Sequence, residues 1–459
     1  MGVRVRPGGG GVTLLGLKMA AARGVGALSR RAGRGGTSLP GRLLLRLEPR
    51  AIGELAGRLQ RGSAVISATN GKTTTAAMVA EILGRGGVRL VHNREGANMA
   101  GGVATALMDG DGDLGLFEVD EFWLDRVVGD LRPRALLLAN LFRDQLDRYG
   151  ELETIADRWA AVVAAAPRAG LVLNADDPLV ADLGRHREDA VYFGVEDDAV
   201  ALEGMAHASD SKHCRRCGAP YVYDAIYLGH LGRYRCDRCG ARRPEPQIAA
   251  TRVALDGTRG ADITLRTPQG TVDVRVPLPG LYNVYNALAA AGLALTLGAP
   301  LADVRDGLAS VEAAFGRAET VRLGDRELTL LLVKNPAGAN EVLRTLILDE
   351  GEHDLLAVLN DNTADGRDVS WVWDADFEVL APRVRRVTCS GTRAAELAVR
   401  MKYAGVPVER IAVQPELERA LDDAAADGRG RLVALPTYTA MLELRALLAR
   451  RGLLRGAFA

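Results

Sequence analysis

An α/β protein built on two successive sheets, with a four-cysteine ribbon set into the first, is what the sequence predicts. Three observations carry that expectation. Short apolar strand segments alternate with amphipathic helical stretches through the first third of the chain and again from Leu328 onward, which is the spacing of doubly wound sheets. A phosphate-loop sequence, Ala68-Thr69-Asn70-Gly71-Lys72-Thr73-Thr74, joins the first strand to a helix. Two Cys-x-x-Cys pairs then interrupt the pattern. The boundaries read from it are a basic segment over 1–50, a central P-loop domain over 51–320 with the ribbon at about 207–247, and a Rossmann-like α/β domain over 321–459.

Composition sets the outer limits. At 459 residues the chain is long enough for two or three domains. Its 58 basic and 58 acidic residues balance and 48% of residues are apolar, a globular enzyme's composition with no overall excess of charge for nucleic acid. Residues 1–61 depart from this, with twelve Lys and Arg against two Glu. They read first as a solvated arm and second as a segment lying near an anionic membrane surface. The run from Val12 to Val25 is broken by Lys18 and Arg23 and holds Gly16 and Gly24, so it resembles neither a signal peptide nor a clean helix; Met19 is an alternative start. No apolar run approaches the roughly 18 residues a membrane-spanning helix needs. Paired Cys at metal spacing point to a reducing cytoplasm.

The phosphate loop follows the apolar run Ala64 to Ile66 and opens a helix from Thr73 to about Leu83. Backbone N–H groups and a helix N-terminus suit a triphosphate, Lys72 would reach its outer phosphates, and Thr73 offers a hydroxyl to Mg²⁺. The general pattern wants Gly where Ile66 stands; what remains is the shorter form used by Mur ligases and folylpolyglutamate synthetases, with Ala68 for its first Gly. Next in the chain, Glu118 ends a buried strand, where open α/β sheets collect ligands, and is the candidate Mg²⁺ ligand. A strand from Ala135, a helix from about Thr154 to Ala165 and a strand from Leu171 to Leu173 follow.

Cys214, Cys217, Cys236 and Cys239 satisfy a tetrahedral Zn²⁺ with no position left for catalysis, so the ribbon is read as structural, with His213 or His230 as outside substitutes for one ligand. Arg215, Arg216, Arg235, Arg238, Arg242 and Arg243 keep a nucleic-acid reading of the ribbon alive; a solvated face is the commoner reading. A hairpin over Ile263 to Val276 leads into a helix starting near Pro279, on which Asn283 and Asn286 either contact an adenine or cap the helix. Arg317 is a candidate phosphate contact.

From Leu328 the α/β pattern restarts, with strands at Leu328 to Val333, Leu355 to Leu359, Val384 to Cys389 and Leu432 to Leu435. Polar residues crowd two strand ends, Lys334 to Asn340 and Asn360 to Asp374, and loops on rigid scaffolds are where chemistry concentrates. Cys389 ends a strand and reads as a small buried residue.

Together these stretches resemble the MurT family, the Mur-ligase-like subunits of lipid II isoglutaminyl synthases. The resemblance runs from about Leu39 to the last helix, and its marks are Thr69 to Thr75, Asn93 to Met99, Asp144 to Arg148, Asn174 to Pro178, the ribbon, Lys334 to Gly338 and Asn360 to Trp371. It implies ATP-dependent amidation of the α-carboxylate of D-glutamate in the lipid II stem peptide, through an acyl phosphate, with ammonia from a GatD-like glutaminase partner. It also implies ATP, Mg²⁺ and Zn²⁺ as cofactors, lipid II met at the inner membrane surface, and Asp368 as the catalytic aspartate. Two departures from ordinary Mur ligases stand out: Gln145 occupies a usual His position, and the helix over 153–166 has no Lys to carbamylate. The alternatives are an amino-acid-adding ligase of the Mur or folylpolyglutamate type and a zinc-ribbon NTPase that binds nucleic acid; nucleic acid is not expected, given the charge balance and the acidic loop after Asn360.

Overall fold

The computed structural model describes residues 14–31, 38–93, 97–143, 152–204, 210–312, 317–426 and 431–454; the side chains of Arg30, Arg31 and Arg317 lie outside that description. Its largest element is a nine-stranded sheet made from β1 (Ser63–Ser67), β2 (Leu90–His92), β3 (Leu114–Glu118), β4 (Ala135–Leu138), β5 (Gly170–Asn174), β6 (Val191–Val195), β9 (Ile248–Leu255), β10 (Ala261–Thr267) and β11 (Gly270–Val276), with β7 (Val222–Leu228) and β8 (Leu231–Arg235) forming a separate hairpin. The order across the large sheet is β11-β10-β9-β6-β5-β4-β1-β3-β2. From β2 to β9 the pairing is parallel, and β9, β10 and β11 form an antiparallel edge.

β1, β3 and β4 are buried along their whole length, as expected of parallel strands covered on both faces. Period-2 alternation divides them between two cores. Ala64, Ile66, Leu116 and Leu137 face one side with the helices Lys72–Arg85 and Leu281–Thr296. Val65, Phe117, Leu136 and Leu138 face the other with the helices Ala51–Ala56, Ala100–Asp109 and Leu152–Ala165. The chain leaves β1 for β2 and β3 on one side and later returns to β4 on the other. The C-terminal end of β1 is therefore a topological switch point, where such sheets bind ligands.

The N-terminal stretch departs from its expectation. Leu14–Arg31 is a helix despite Gly16, Gly24 and Gly26. Tertiary contacts outweigh a glycine cost of ~1 kcal/mol each: Met19 and Ala22 are buried, Lys18 pairs with Glu48 at 2.8 Å, and Arg23 pairs with Asp109 at 2.9 Å. The following helix, Leu39–Leu47, packs closely on Ala100–Asp109. A Cβ on Gly41 would stand 1.9 Å from the Gly101 carbonyl oxygen, so only glycine permits the approach.

The second sheet is assembled from β12 (Arg317–Leu323), β13 (Arg326–Leu331), β14 (His353–Val358), β15 (Val384–Ser390), β16 (Ile411–Val413) and β17 (Arg431–Pro436), in the order β12-β13-β17-β14-β15-β16. All pairs but β12 with β13 are parallel. It begins at Arg317, and helices Pro336–Leu348, Ala394–Tyr403, Leu417–Ala425 and Tyr438–Arg450 flank it. Cys389 is fully buried, which pushes its thiol up to about 12.

Candidate nucleotide site and metal ribbon

The loop after β1 turns at Gly71, whose φ of 87° is open to glycine and strained for other residues. A second constraint acts at the same atom, because a Cβ there would lie 2.0 Å from Asn286 Oδ1. The loop is held from several sides. The Asn70 N–H donates to Asn140 Oδ1 at 2.9 Å and Asn140 Nδ2 returns a bond to the Asn70 carbonyl at 3.0 Å. Thr69 Oγ1 accepts from the Phe142 N–H at 3.1 Å, and Thr75 Oγ1 donates to Asn286 Oδ1 at 3.2 Å. Asn286 Nδ2 donates to Asn283 Oδ1, and Asn283 Nδ2 caps the Pro279 carbonyl.

Thr73 and Glu118 come together across the parallel β1 and β3 register, with Thr73 Oγ1 donating to Glu118 Oε2 at 2.8 Å. Asn93 fixes the end of β3 by pairing with the Glu118 backbone at 2.7 and 3.0 Å. A buried carboxylate and a hydroxyl at the mouth of a phosphate loop are the donors a hard divalent cation takes beside nucleotide phosphates. Lys72 Nζ folds over its own loop toward the Ala68 carbonyl and reaches Glu121 Oε2 at 3.0 Å. Burial opposes a charge on Glu121, but the neighbouring ammonium groups of Lys72 and Lys334 prevail and hold its carboxyl below the usual range.

The second sheet reaches this loop directly. Lys334 Nζ donates to the Thr69 carbonyl at 3.3 Å, and Asn335 and Asn70 exchange side-chain hydrogen bonds at 3.1 and 3.4 Å. Asn335 also caps the helix Pro336–Leu348 by accepting from the Gly338 N–H at 2.9 Å. Between the two sheets lies a cleft lined by residues of both. Asn70, Gly71 and Thr74 form one end of it, Tyr282, Tyr285 and Asn286 one wall, and Lys334, Gly338 and Val342 another.

Thr69, Asn70, Gly71, Lys72, Thr73, Thr74, Glu118, Asn283 and Asn286 are thus gathered in and around one cleft. Asp368 is elsewhere: it is exposed, does not line the cleft, and accepts from the Ser370 N–H at 2.9 Å; the Ser370 hydroxyl first, and this N–H second, hold its carboxyl below the usual range. The Arg317 side chain and the stretch Asp144 to Arg148, with Gln145, lie outside the described residues. Glu121 and Asn140 are residues sequence reasoning did not single out as site groups, and Lys334 was noted only as the start of a polar strand end. Asn140 and Glu121 each lie within three residues past the end of a buried strand, and that position was their signal.

In the ribbon the four sulfur atoms of Cys214, Cys217, Cys236 and Cys239 all lie within 4.8 Å of one another, with the Cys214–Cys239 and Cys217–Cys236 pairs at 3.5 Å. A tetrahedron with Zn–S bonds of ~2.3 Å has edges of ~3.8 Å, so the cluster fits Zn²⁺ with its coordination filled. Gly218 and Gly240, at φ 74° and 73°, close the two knuckles. Neither histidine takes a ligand's place in the cluster. His230 is buried at the far end of the hairpin, its Nε2 3.4 Å from Asp177 Oδ2. Several ribbon arginines are engaged within the protein: Arg215 with Asp157, Arg216 with Asp182, Arg235 with Asp224, and Arg243 with Asp176 and Glu196.

Residues 66–234 match the Mur ligase middle domain and residues 332–441 the MurT ligase C-terminal domain. Among solved structures the fold is similar to a pseudomurein peptide ligase type C from Methanothermus fervidus (TM-score 0.67, 23% identity, 87% of this chain and 80% of that one) and to MurF from Thermotoga maritima in complex with ADP (TM-score 0.61, 15% identity, 88% and 84%). Among curated proteins, the MurT subunit of glutamine-hydrolysing lipid II isoglutaminyl synthase from Streptococcus pneumoniae is 34% identical over 93% of this chain and 95% of its own length. That of Staphylococcus aureus strain N315 is 34% identical over 91% and 93%. With that identity over nearly the full length, and with a MurT-type C-terminal domain behind a Mur ligase middle domain, the chain belongs to the MurT family of ligases.

Proposed function

We propose that this ligase amidates the α-carboxylate of D-glutamate in the stem peptide of lipid II, using ATP and ammonia. The observation that carries the reading is the phosphate loop locked against Asn335 and Lys334 of the MurT-type domain, which would hold a nucleoside triphosphate where residues of both sheets meet it. Thr73 and Glu118 would hold Mg²⁺, which would offset charge on the transferring phosphoryl group. Lys72 and Lys334 would bind the phosphates as fixed positive charges. The carboxylate oxygen attacks the γ-phosphorus and ADP departs, leaving an acyl phosphate. Ammonia then adds at the acyl carbon, inorganic phosphate leaves, and the nitrogen loses a proton to give the amide.

Ammonia is assigned to a partner because none of the chain's five cysteines suits a glutaminase nucleophile. Four form the ribbon, and burial holds the Cys389 thiol in its protonated form. A GatD-like glutaminase is the expected partner, in keeping with the glutamine-hydrolysing activity in the curated relatives' names. Asp368, on the exposed loop after β14, would orient ammonia or the partner's residues. The helix Leu14–Arg31 exposes Leu14, Leu17 and Leu28 and contains no acidic residue, which supports contact with the anionic cytoplasmic leaflet that carries lipid II. No helix among the described residues is long and apolar enough to cross a membrane.

Mass spectrometry of lipid II incubated with the chain, ATP, Mg²⁺ and ammonium tests the reading. Conversion of the stem carboxylate to its amide with matching ADP release is the expected result. Unchanged lipid II in that mixture and also with a GatD-like partner and glutamine would refute it.

A further inference from the structure

The ribbon hairpin has its cysteine knuckles at one end and reaches the nucleotide cleft at the other. Cys236 follows Leu231 by five positions, about 17 Å of extended chain. At the cleft end Leu228 and Leu231 are only 4% and 2% exposed, belong to the core beneath the first sheet, and line the cleft. The turn between them uses Gly229 at φ 58° and lies against Phe142, whose ring would be 3.1 Å from a Cβ at that glycine. His230 is fully buried, with its ring centroid 4.8 Å from that of Phe142. The Phe142 N–H in turn holds Thr69 of the phosphate loop. A second connection starts just beyond the second knuckle, where Arg243 pairs with buried Asp176; Asp176 accepts from the hydroxyl of Tyr285, another cleft-lining residue, at 2.6 Å. An appendage fastened only by its knuckles would leave this tip in solvent.

We infer that the ribbon's hairpin tip is a wall of the nucleoside subsite, with Leu228 and Leu231 as apolar contacts for the base or ribose, so that nucleotide affinity depends on the integrity of the four-cysteine knuckles. The inference rests on the nucleotide-binding reading of the cleft. It assigns to the ribbon a share in substrate binding: the phosphate loop recognises the anion, and the hairpin tip helps exclude water from the nucleoside.

The test is isothermal titration of the zinc-loaded full chain with ADP and, separately, with inorganic tripolyphosphate. In Leu231→Ala and Leu231→Phe the affinity for ADP should fall at least fivefold while that for tripolyphosphate stays within twofold. Removal of zinc from the wild-type chain by a chelator should reproduce the ADP loss. Unchanged ADP affinity in the variants, or equal losses for both ligands, overturns the inference. A wild-type chain that binds neither ligand instead overturns the nucleotide reading beneath it. Photolabelling of the wild-type chain with 8-azido-ATP needs no variant to fold: label within residues 222–235 supports the wall, and label confined to other segments removes it.

Discussion

The loop after β1 and the loop after β14 both leave the C-terminal ends of central parallel strands, yet they are built in opposite ways. The first is short and held by partners from β4, the helix Leu281–Thr296 and the second sheet, with Asn70 and Thr69 each tied to more than one of them. The second, from Asn360, is longer and fastened chiefly within its own domain. Asn360 and Asn362 donate to Thr439 Oγ1, the Thr439 N–H donates to Asp365 Oδ1 at 2.7 Å, and Arg393 pairs with Asp361 at 2.8 Å. Asp368 and Trp373 are left exposed. Rigid enclosure suits phosphates that must be held in one orientation for transfer, whereas an anchored but open loop suits groups that arrive with another molecule. The difference accords with the proposed roles, nucleotide recognition for the first loop and acceptor or ammonia chemistry for the second.

The comparison breaks most completely at Gly71. Gly71→Ala places a Cβ on a left-handed backbone and against Asn286, so ADP binding should fall by well over tenfold, since the backbone strain of ~1–2 kcal/mol alone accounts for about that factor; titration that finds wild-type affinity would show the loop is not so constrained. Asp368→Asn sharpens the same contrast from the other side. Amide formation, read by mass spectrometry, should drop about 10²-fold, the lower end of what a positioned proton-transfer group supplies, while zinc content and ADP affinity stay unchanged. Full amidation by the variant would return Asp368 to the role of a turn cap for Ser370.

Much of this was legible before the fold was seen, for reasons that differ from place to place. The phosphate loop, Glu118 and the cysteine pairs follow from local sequence, because strand, turn and helix signals adjoin and each chemistry has a fixed spacing. Apolar runs such as Leu114 to Phe117 and Ala135 to Leu138 announced buried parallel strands in the same way. The helix Leu14–Arg31 was hidden because its glycines argue locally against it, and what holds it is the burial of Met19 and Ala22 against residues distant in sequence, with Glu48 and Asp109 as ion-pair partners. The joining of Lys334 and Asn335 to the phosphate loop was hidden too: 265 residues separate Asn335 from Asn70, and no periodicity reports a contact between sheets. Likewise the ribbon's cysteines fix its metal but carry no signal of where the other end of the hairpin is buried.

Asn335 is where the second sheet's domain meets the phosphate loop, and substitution there separates its two tasks. As an N-cap it stabilises the helix Pro336–Leu348, and Asn335→Ala should cost about 1 kcal/mol for the cap, read as a lower midpoint in thermal or urea unfolding. As the partner of Asn70 it fixes the phosphate loop, and its loss should weaken ADP binding only a few-fold, because Asn140 still holds the Asn70 backbone. Asn335→Asp keeps an oxygen to accept from the Gly338 N–H but puts an acceptor where Nδ2 donates to Asn70 Oδ1. The Asp variant should therefore retain most of the stability that the Ala variant loses while weakening ADP binding at least as much. If instead both variants lose stability and affinity in parallel, the two sheets are coupled through the folding of this helix rather than through the side-chain bridge, and the enclosure of the first loop is a consequence of domain packing.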